Sequence, residues 1–501
     1  MDQANSPINP KNGFNSITKT FHSLRPPIHL PPEETPFSAA EYALSLHASY
    51  SSWPDSVAII DSSTGQKLSC SDFSKRTKSL TLYLQNVIQL SKNDTAFVLC
   101  PNYIKVPILY FSLLSLGVVI SPANPMSTES ELSHQINLSN PVIAFATSET
   151  CHKLPKLKHR TIHLDSPEFD SIITMFPAAA SHQELGKVKV NQSDLAAIMY
   201  SSGTAGKVKG VMLTHRNLMA VIAGYYPFKQ ERKSPTVMLY TVPYFSPVVM
   251  ERFDMKKMLR AVEEFGVTEL AVAPPVVVAM ARSALTDGYD LRSLETVALR
   301  LVFNGVMQES RRWGSVGRIT AGCEAKIVDP DTSYALPPGK RGELWIRGST
   351  IMKGYVGDPG ATSTTLESDG WLRTGDLCYI DEEGFVFVVD RLKGLIKYKG
   401  YQVAPAELEQ LLQSHPEIAD AAVIPYPDEE AGQVPMALVV KRSQSRINER
   451  SVIDFVAKQV APFKKVRRVA FISSIPKSAA GKIVRKELRK MVQIPLPSSK
   501  M

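Results

Sequence analysis

Helical and β-type patterns alternate along the chain from Phe37 to about Ile327. Apolar residues follow helical spacing over 38–50 and 73–85, and short β-rich runs occupy 57–60 and 95–99. Because a helix usually returns the chain between successive parallel strands, this alternation predicts an α/β fold with largely parallel sheets. The chain has 501 residues, 44% of them apolar, so we expect several large cores. A disordered chain, a disulfide-stapled mini-protein and a small binding module are excluded.

The pattern changes after residue 328. The segments GELWIRG, GWLRTGDLCYID and GFVFVVDR begin at Gly342, Gly370 and Gly384 and predict short strands separated by Gly and Asp turns. Beyond Asp390, helices are predicted at 405–414 and 451–459 and strands at 420–425 and 436–441. We therefore expect an irregular lead-in (1–36), a large N-terminal domain with parallel-rich sheets and a small β-rich subdomain (37–390), a small α+β C-terminal domain joined by a hinge (391–490) and a tail (491–501).

The charge balance favours anionic partners. Lys and Arg total 57 against 48 Asp and Glu, a net charge of +9, and part of the excess lies at 464–468 (KKVRR) and 482–490 (KIVRKELRK). A nucleic-acid-binding tail is one interpretation, but no recognised binding motif accompanies it, so we favour a solvated basic helix face. The five cysteines form no CxxC pair, which argues against a disulfide framework or a zinc site.

No segment has the roughly 18 uninterrupted apolar residues that a membrane-spanning helix needs. The nearest, 106–120, is broken by Pro107 and Gly117 and predicts a buried helix leading into a strand. The polar N-terminus lacks the apolar region of a secretory signal. The last three residues, Ser-Lys-Met, resemble the peroxisomal tripeptide Ser-Lys-Leu. We expect a peroxisomal protein that meets an import receptor, or otherwise a cytoplasmic one.

The segment 200–217, YSSGTAGKVKGVMLTHRN, is rich in small and hydroxyl residues and is followed by lysines. Backbone N–H groups and hydroxyls in such a loop bind phosphate oxygens, and the lysines add compensating charge. It is not a Walker A motif, because only two residues separate Gly203 from Gly206. The strand pattern before it and the helix start at 214–217 favour a phosphate site over a flexible surface loop. Its candidate ATP-binding residues are Ser201, Ser202, Gly203, Thr204, Ala205 and Lys209.

This loop resembles the SSGTTGxPKG signature of the adenylate-forming superfamily of acyl- and aryl-CoA ligases and luciferases. Ala205 replaces the second Thr of that signature and Val208 replaces its Pro. Losing the Thr hydroxyl removes one phosphate donor, which costs on the order of 1 kcal/mol or more. Losing the Pro removes some pre-organisation of the loop.

The resemblance extends to GWLRTGDL, which is similar to the ribose-binding motif of the family and places Asp376 at the ribose position. A carboxylate suits this role because its two oxygens accept hydrogen bonds from adjacent hydroxyls, although an Asp in a β-turn is the alternative. The segment 390–403, DRLKGLIKYKGYQV, resembles the hinge of the family. By this resemblance Arg391, Lys393, Lys397 and Gln402 contact the adenylate or form the pivot, and Lys399 and Gly400 contact CoA.

The segment 476–488, PKSAAGKIVRKEL, resembles the loop that carries the catalytic lysine of the family, here Lys482. The resemblance implies that Lys482 contacts the α-phosphate and the substrate carboxylate. A mobile cation is needed there because negative charge accumulates in the transition state of adenylation. One more lysine in a basic tail is the alternative.

Within the superfamily, the phrases MERFDMKKMLRAVEEF, GCEAKIVD and MKGYVGDP are most similar to plant 4-coumarate–CoA ligases and their peroxisomal ligase-like relatives. This resemblance implies ATP, Mg²⁺ and coenzyme A as cofactors and a small aromatic or fatty carboxylic acid as substrate, in phenylpropanoid or peroxisomal acyl metabolism. The carboxylate attacks the α-phosphate of ATP, and CoA then displaces AMP after the small domain rotates about the hinge.

Two family segments are absent from this chain, near 245–247 and near 304–310. The first carries a His that borders the acyl pocket. The second carries a GYGMTE-like motif whose Glu holds the metal, so the metal ligand is unknown; Glu309 is a disfavoured substitute. Because deleted strands and helices expose core faces, we expect the ligase architecture with impaired activity. A non-catalytic nucleotide-binding relative is the alternative, and a nucleic-acid-binding protein is the third hypothesis.

Overall fold

A computed structural model describes residues 7–50, 56–175, 188–201, 208–225, 237–240, 248–250, 254–272, 276, 280, 284–298, 312, 314–398, 401–460, 462–477 and 483–492. Helices and strands alternate in the first half, and a small α+β domain closes the chain, so the predicted α/β class is confirmed. The α-helices are α1 (Ala39–Tyr50), α2 (Cys70–Asn86), α3 (Val106–Ser115), α4 (Glu129–Ser139), α5 (Pro167–Met175), α6 (His215–Tyr225), α7 (Met255–Phe265), α8 (Pro359–Thr365), α9 (Pro405–Gln413), α10 (Glu449–Ala457) and α11 (Arg485–Met491).

The strands form four sheets. In chain order they are β1 (Phe14–Asn15), β2 (Thr20–His22), β3 (Val57–Asp61), β4 (Lys67–Ser69), β5 (Thr95–Leu99), β6 (Val119–Ala123), β7 (Ile143–Ala146), β8 (Ile162–His163), β9 (Leu195–Ser201), β10 (Lys209–Thr214), β11 (Met238–Tyr240) and β12 (Val248–Val249). They continue with β13 (Glu269–Ala271), β14 (Thr296–Ala298), β15 (Cys323–Val328), β16 (Gly342–Gly348), β17 (Gly354–Tyr355), β18 (Leu372–Ile380), β19 (Val386–Arg391), β20 (Ile396–Tyr398), β21 (Tyr401–Val403), β22 (Ile418–Asp428), β23 (Gly432–Lys441) and β24 (Arg468–Phe471).

The largest sheet has the order β17-β10-β9-β6-β5-β7-β8 and is parallel from β9 to β8. Its central strands β5 and β7 are buried along their whole length, as expected for a parallel sheet covered by helices. Helices α2, α3 and α5 pack on it around Leu80, Leu113 and Phe169. The predicted buried helix leading into a strand at 106–120 is confirmed as α3 and β6.

A second sheet has the order β14-β13-β11-β12-β3-β4 and is parallel except for the β3–β4 pair. Helix α7 covers it with Met258, Leu259 and Val262, all fully buried. In the part of the chain with described coordinates, β14 is the last strand on one side. It lies just before the second expected deletion.

A third, antiparallel sheet has the order β1-β2-β15-β16-β18-β19. The lead-in contributes β1 and β2, so the expectation that residues 1–36 are irregular is wrong for this part. Phe21 pairs with Ala325 and stacks near Phe14, with ring centroids 4.8 Å apart, and both rings are buried. Strands of two and three residues are too short to show alternation, and tertiary pairing with β15 holds them.

The C-terminal domain has the strand order β21-β20-β23-β22, with β24 parallel to β23. Helices α9 and α10 pack on one side of this sheet around Leu408, Leu412 and Val452, and Ile475 and Leu488 belong to a second cluster. The predicted helices at 405–414 and 451–459 are confirmed within one or two residues. No helix in the described segments is long and apolar enough to cross a membrane.

Candidate active site

The hydroxyl-rich loop connects β9 to β10, which pair antiparallel with Ser201 opposite Lys209. Strand β10 was not predicted, because its apolar run Val211–Leu213 is too short to distinguish from a helix start. Ser202, Gly203, Thr204 and Ala205 lie outside the described residues, and Ser201 is half-buried. The structure therefore places the two ends of the predicted phosphate loop at the end of a hairpin in the largest sheet.

Two contacts fix the ends of this hairpin. Val356 donates its backbone N–H to the carbonyl of Gly210 over 2.8 Å. A Cβ atom on Gly210 would lie 2.5 Å from Val356 Cγ1, so only glycine allows this approach. On the other side, His134 Nε2 lies 2.9 Å from the carbonyl oxygen of Val208. His134 lies 74 residues away along the chain and was not predicted to contact this loop.

Among the candidate phosphate-binding residues of this loop, Lys209 is the lysine whose side chain the structure describes. Its Nζ lies 4.7 Å from the centroid of the Tyr355 ring and 3.9 Å from Asp358 Oδ2. The other oxygen of Asp358 accepts a hydrogen bond from the backbone N–H of Ala361 and caps α8. The Lys209 ammonium therefore lies beside an aromatic ring and makes only a long ion pair with Asp358. Its side chain is 34% exposed.

Asp376 and Arg391 lie directly opposite one another in the β18–β19 pair. Arg391 Nε is 2.7 Å from Asp376 Oδ1, and Arg391 Nη1 donates to the carbonyl of Thr374 over 3.0 Å. The hydroxyl of Thr374 accepts from the backbone N–H of Asp376. Asp376 is a quarter exposed and Arg391 about half exposed. The structure thus brings a carboxylate and a guanidinium from two predicted motifs into contact at the surface.

Cys378 lies two residues beyond Asp376 on the same strand. It is fully buried, and burial raises the pKa of its thiol to about 12. The thiol therefore stays protonated and is not a nucleophile at neutral pH.

The segment predicted to be the hinge follows Arg391 as a 3₁₀ turn over Leu392–Gly394, which contains Lys393. Asp390, 9% exposed, accepts hydrogen bonds from the backbone N–H groups of Arg391 and Ala406. Glu407 binds Lys464 Nζ at 2.6 Å and lies 3.7 Å from Arg341 Nη1. The two domains are therefore linked by contacts on both sides of the hinge, none of which was predicted.

Lys397 and Gln402 are paired on the neighbouring strands β20 and β21. Lys397 is exposed, and its backbone N–H donates to Gln433 Oε1 over 2.9 Å. Lys399 and Gly400, the predicted CoA contacts, lie between these strands and outside the described residues, as do the side chains of Lys393 and Gln402.

Lys482, the predicted catalytic residue, also lies outside the described residues, but both ends of its loop are described. Lys477 pairs with Ile483 in an antiparallel bridge, and Val484 donates its N–H to the carbonyl of Pro476 over 2.9 Å. Arg485 Nη2 donates to Glu409 Oε1 over 2.8 Å. Glu409 is 7% exposed, and burial raises the pKa of its carboxyl. The loop is therefore closed at its base and anchored to α9.

The three predicted regions lie on elements that contact one another. Strand β17 pairs with β10 and leads into α8, which contacts β18, the strand of Asp376. Helix α9, to which the Lys482 loop is anchored, contacts β19. In the segments with coordinates no group of three or more His, Cys, Asp or Glu residues has the arrangement of a metal site.

The basic residues of the C-terminal domain contact partners inside that domain. These contacts favour the structural interpretation of the basic segments over a nucleic-acid surface. The contacts are Lys464 with Glu407, Arg467 with the Pro462 carbonyl, Arg468 with the Tyr426 ring, Arg485 with Glu409 and Lys490 with Glu487.

Comparison with known proteins agrees with this geometry. The AMP-binding enzyme family matches residues 46–305 and 296–356, and the AMP-binding enzyme C-terminal domain matches 407–482. The chain is 45% identical to 4-coumarate–CoA ligase-like 9 of Arabidopsis thaliana, with 97% of each chain covered. It is 40% identical to peroxisomal OPC-8:0-CoA ligase 1 of the same plant, with 97% of this chain and 98% of the relative covered. The first alignment spans 551 positions, 50 more than the 501 residues of this chain.

Solved structures share the fold. ATP-bound MatB from Rhodopseudomonas palustris superposes with a TM-score of 0.78 at 23% identity, covering 91% of this chain and 99% of the other. The anthranilate CoA ligase AuaEII in complex with anthranoyl-AMP superposes with a TM-score of 0.75 at 20% identity, covering 92% and 98%. With these matches over both domains, the chain belongs to the AMP-binding family of adenylate-forming CoA ligases.

Proposed function

We propose that this ligase converts an aromatic or fatty carboxylic acid of the 4-coumarate type into its CoA thioester in two steps. In the first, a carboxylate oxygen forms a bond to the α-phosphorus of ATP, and the bond to pyrophosphate breaks. In the second, the CoA sulfur bonds to the acyl carbon, its proton passes to solvent, and AMP leaves. No group is oxidised or reduced.

The contact between Asp376 and Arg391 carries this proposal. A ribose 5′-phosphate presents two adjacent hydroxyl donors, on C2′ and C3′, and an anionic phosphate on C5′. A carboxylate and a guanidinium joined by 2.7 Å on neighbouring strands match that order of donors and charge. We assign Asp376 to the ribose hydroxyls and Arg391 to the ribose and phosphate.

The remaining residues act around this pair. Ser201, Ser202, Gly203, Thr204 and Ala205 offer backbone N–H groups and hydroxyls to the β- and γ-phosphates, and Lys209 offers charge. Lysine at this position is a flexible point charge, and the nearby Asp358 is too distant, at 3.9 Å, to neutralise it fully.

The C-terminal domain supplies a different group to each step. Lys482, on the anchored loop, stabilises the charge that develops between the carboxylate and the α-phosphate. Lys397 and Gln402 contact the adenylate, and Lys393 forms the pivot. After rotation about the hinge, Lys399 and Gly400 face CoA.

Magnesium enters as the ATP complex. The described residues do not form a protein site for a divalent cation, and the Glu expected near 304–310 is absent. We therefore assign no step to a protein-held metal.

The relatives support a hydrophobic carboxylate and a peroxisomal location. They include 4-coumarate–CoA ligase-like proteins and a peroxisomal OPC-8:0-CoA ligase. The chain ends in Ser499, Lys500 and Met501, and an import receptor would bind this end through its carboxylate, its lysine and its apolar last side chain. We propose import into the peroxisome.

The missing segments favour a second function, ATP binding with little turnover. The family match is divided into two parts that meet at 296–305, beside the second expected deletion. The alignment with the 45% identical relative is longer than this chain, as deletions require. Strand β14 also ends the second sheet at this point in the described structure.

Calorimetry with ATP and a thioester assay with 4-coumarate and medium-chain fatty acids distinguish these functions. Saturable ATP binding with thioester formation, both reduced in Asp376→Asn, supports the ligase. ATP binding without thioester formation supports the second function, provided that thioester formation returns when both missing segments are restored from the 45% identical relative. Absence of ATP binding in a folded chain contradicts both. Lys482→Ala is the matched control, because it should abolish adenylation while ATP still binds.

A further inference from the structure

A cavity of about 200 Å³ lies where the lead-in crosses the antiparallel sheet, beside the turn between β18 and β19. We call it the lead-in pocket; the side chains of Asn12, His22, Arg25 and Arg318 and the backbone of Gly384 line it. Its volume is below the roughly 300–1,000 Å³ typical of pockets for drug-sized ligands, so its ligand is small.

The lining is basic. Two arginines and one histidine face the lead-in pocket, and none of its lining residues is acidic. The carboxylates nearby are paired with basic groups. Glu324 binds Arg347 at 2.6 Å and His22 Nδ1 at 3.1 Å, and Asp381 accepts from Arg312 at 3.0 Å. The lining therefore contains basic groups and no acidic one, which favours an anionic ligand.

Two lining side chains carry buried nitrogens without a hydrogen-bond partner. Nε2 of His22 and Nε of Arg318 are inaccessible to solvent and have no hydrogen-bond partner among the described residues. Buried polar groups in native proteins are nearly always paired. Because His22 Nδ1 donates to Glu324, Nε2 of the neutral ring accepts, and a hydrogen phosphate would satisfy both nitrogens through an O–H and an oxygen acceptor.

The pocket walls are rigid. The Arg318 guanidinium lies 4.6 Å from the centroid of the Phe385 ring, which fixes its plane. Asn12 is 3% exposed, and its Oδ1 accepts from the backbone N–H of Phe14 over 3.0 Å. Gly384 has φ +81°, and a Cβ atom there would lie 3.1 Å from Asn12 Cα. The donors are therefore pre-organised.

We propose that the lead-in pocket binds the phosphate group of a small anion, either inorganic phosphate or a phosphate monoester. A planar guanidinium binds a tetrahedral oxyanion through several hydrogen bonds at once. Binding there joins the lead-in to the antiparallel sheet and is independent of ligase turnover.

Calorimetry of the full chain with inorganic phosphate tests this proposal. We expect one saturable site whose affinity falls about tenfold or more in Arg318→Gln, since a charge-assisted donor is lost, and less in Arg318→Lys. Arg312→Gln is the matched control. Arg312 also lies over the Phe385 ring, at 5.6 Å, but does not line the pocket, so the variant should bind phosphate as the unmodified chain does. Circular dichroism establishes that each variant is folded.

Glycerol 3-phosphate distinguishes the two possible ligands, inorganic phosphate and a phosphate monoester. Tighter binding of this ester than of inorganic phosphate assigns the site to monoesters, and the reverse order assigns it to the free ion. Absence of saturable binding in the unmodified chain overturns the proposal. So does phosphate binding that survives in Arg318→Gln and is displaced by ATP, because that result places phosphate in the candidate active site.

Discussion

The carboxylate of Asp390 accepts a hydrogen bond of 2.9 Å from the backbone N–H of Ala406, across the hinge between the two domains. Its other oxygen accepts from the N–H of Arg391 over 2.6 Å. One buried side chain therefore holds both the end of β19 and the first turn of α9. An arrangement of this kind favours one orientation of the domains, because rotation about the proposed pivot at Lys393 would break the contact with Ala406.

We expect Asp390→Ala to destabilise the chain by about 1–3 kcal/mol, because two backbone donors lose their acceptor in a buried place. Urea unfolding followed by circular dichroism measures this loss. Asp331→Asn, which alters an exposed carboxylate of the β-rich subdomain, is the control and should leave the midpoint unchanged. Equal unfolding midpoints for Asp390→Ala and the control would show that the two hydrogen bonds to Asp390 do not stabilise the chain.

A second prediction concerns Asp376. Its ion pair with Arg391 is partly solvent-exposed, so we expect Asp376→Asn to change the free energy of unfolding by less than about 1 kcal/mol. Affinity for ATP should fall about 10- to 100-fold, since an ionic acceptor of ribose hydroxyls is lost. Calorimetry and thermal unfolding measure the two effects.

The control for Asp376 is Glu367→Gln. Glu367 lies before β18 and outside the predicted ribose motif, and it pairs with Arg373. Its ATP affinity should match that of the unmodified chain. A similar loss of affinity in both variants would mean that the charge of the strand, and not the contact at Asp376, governs binding.

The sequence was sufficient for several helices and for some parallel strands, because long amphipathic and apolar runs carry their own periodicity. Strand β5 was predicted at its observed bounds, and α9 within one residue. The pairing that builds the lead-in into the antiparallel sheet was missed, because β1 and β2 are defined by Ala325 and Glu324, some 300 residues away.

The candidate site was predicted through motifs, one residue at a time. Motifs indicated Asp376, Arg391 and Lys482 but not what holds them in place. The partner of Arg485 is Glu409, 76 residues earlier, and Asp390 acts through the backbone of Ala406. Such contacts depend on how the sheets and helices pack, and a single sequence carries no local signal for them.

The anchor of the Lys482 loop gives a third prediction. Arg485→Gln leaves Glu409 buried without its cation. Breaking a buried pair costs about 3–5 kcal/mol, and because Arg485 is 30% exposed we expect about 2 kcal/mol here. Urea unfolding measures this cost. Thioester formation, where the chain supports it, should slow without a matching loss of ATP affinity.

Two further variants test whether the broken ion pair causes the loss of stability in Arg485→Gln. Lys486→Gln changes the adjacent, exposed lysine and should behave as the unmodified chain. The double variant Glu409→Gln with Arg485→Gln should recover part of the lost stability, because no buried charge is left unpaired. No recovery in the double variant would contradict the ion-pair explanation.

His215 gives a prediction about pH. It is fully buried at the start of α6, and its Nδ1 accepts a hydrogen bond of 3.0 Å from the backbone N–H of Ala39. Burial lowers the pKa of the imidazole from 6.5 to about 4. Between these values the unfolded chain binds a proton that the folded chain does not. The stability that neutral His215 contributes is therefore complete above pH 6.5 and is lost as the pH falls towards 4, by about 3 kcal/mol in total.

Urea unfolding at pH 7, 6 and 5 tests this pH dependence. His215→Gln keeps an acceptor for Ala39 but does not titrate, so its free energy of unfolding should fall less steeply with pH than that of the unmodified chain. His152→Gln removes an exposed histidine and should keep the original slope. If His215→Gln and His152→Gln lose stability equally between pH 7 and pH 5, protonation of other groups accounts for the acid sensitivity, and His215 does not.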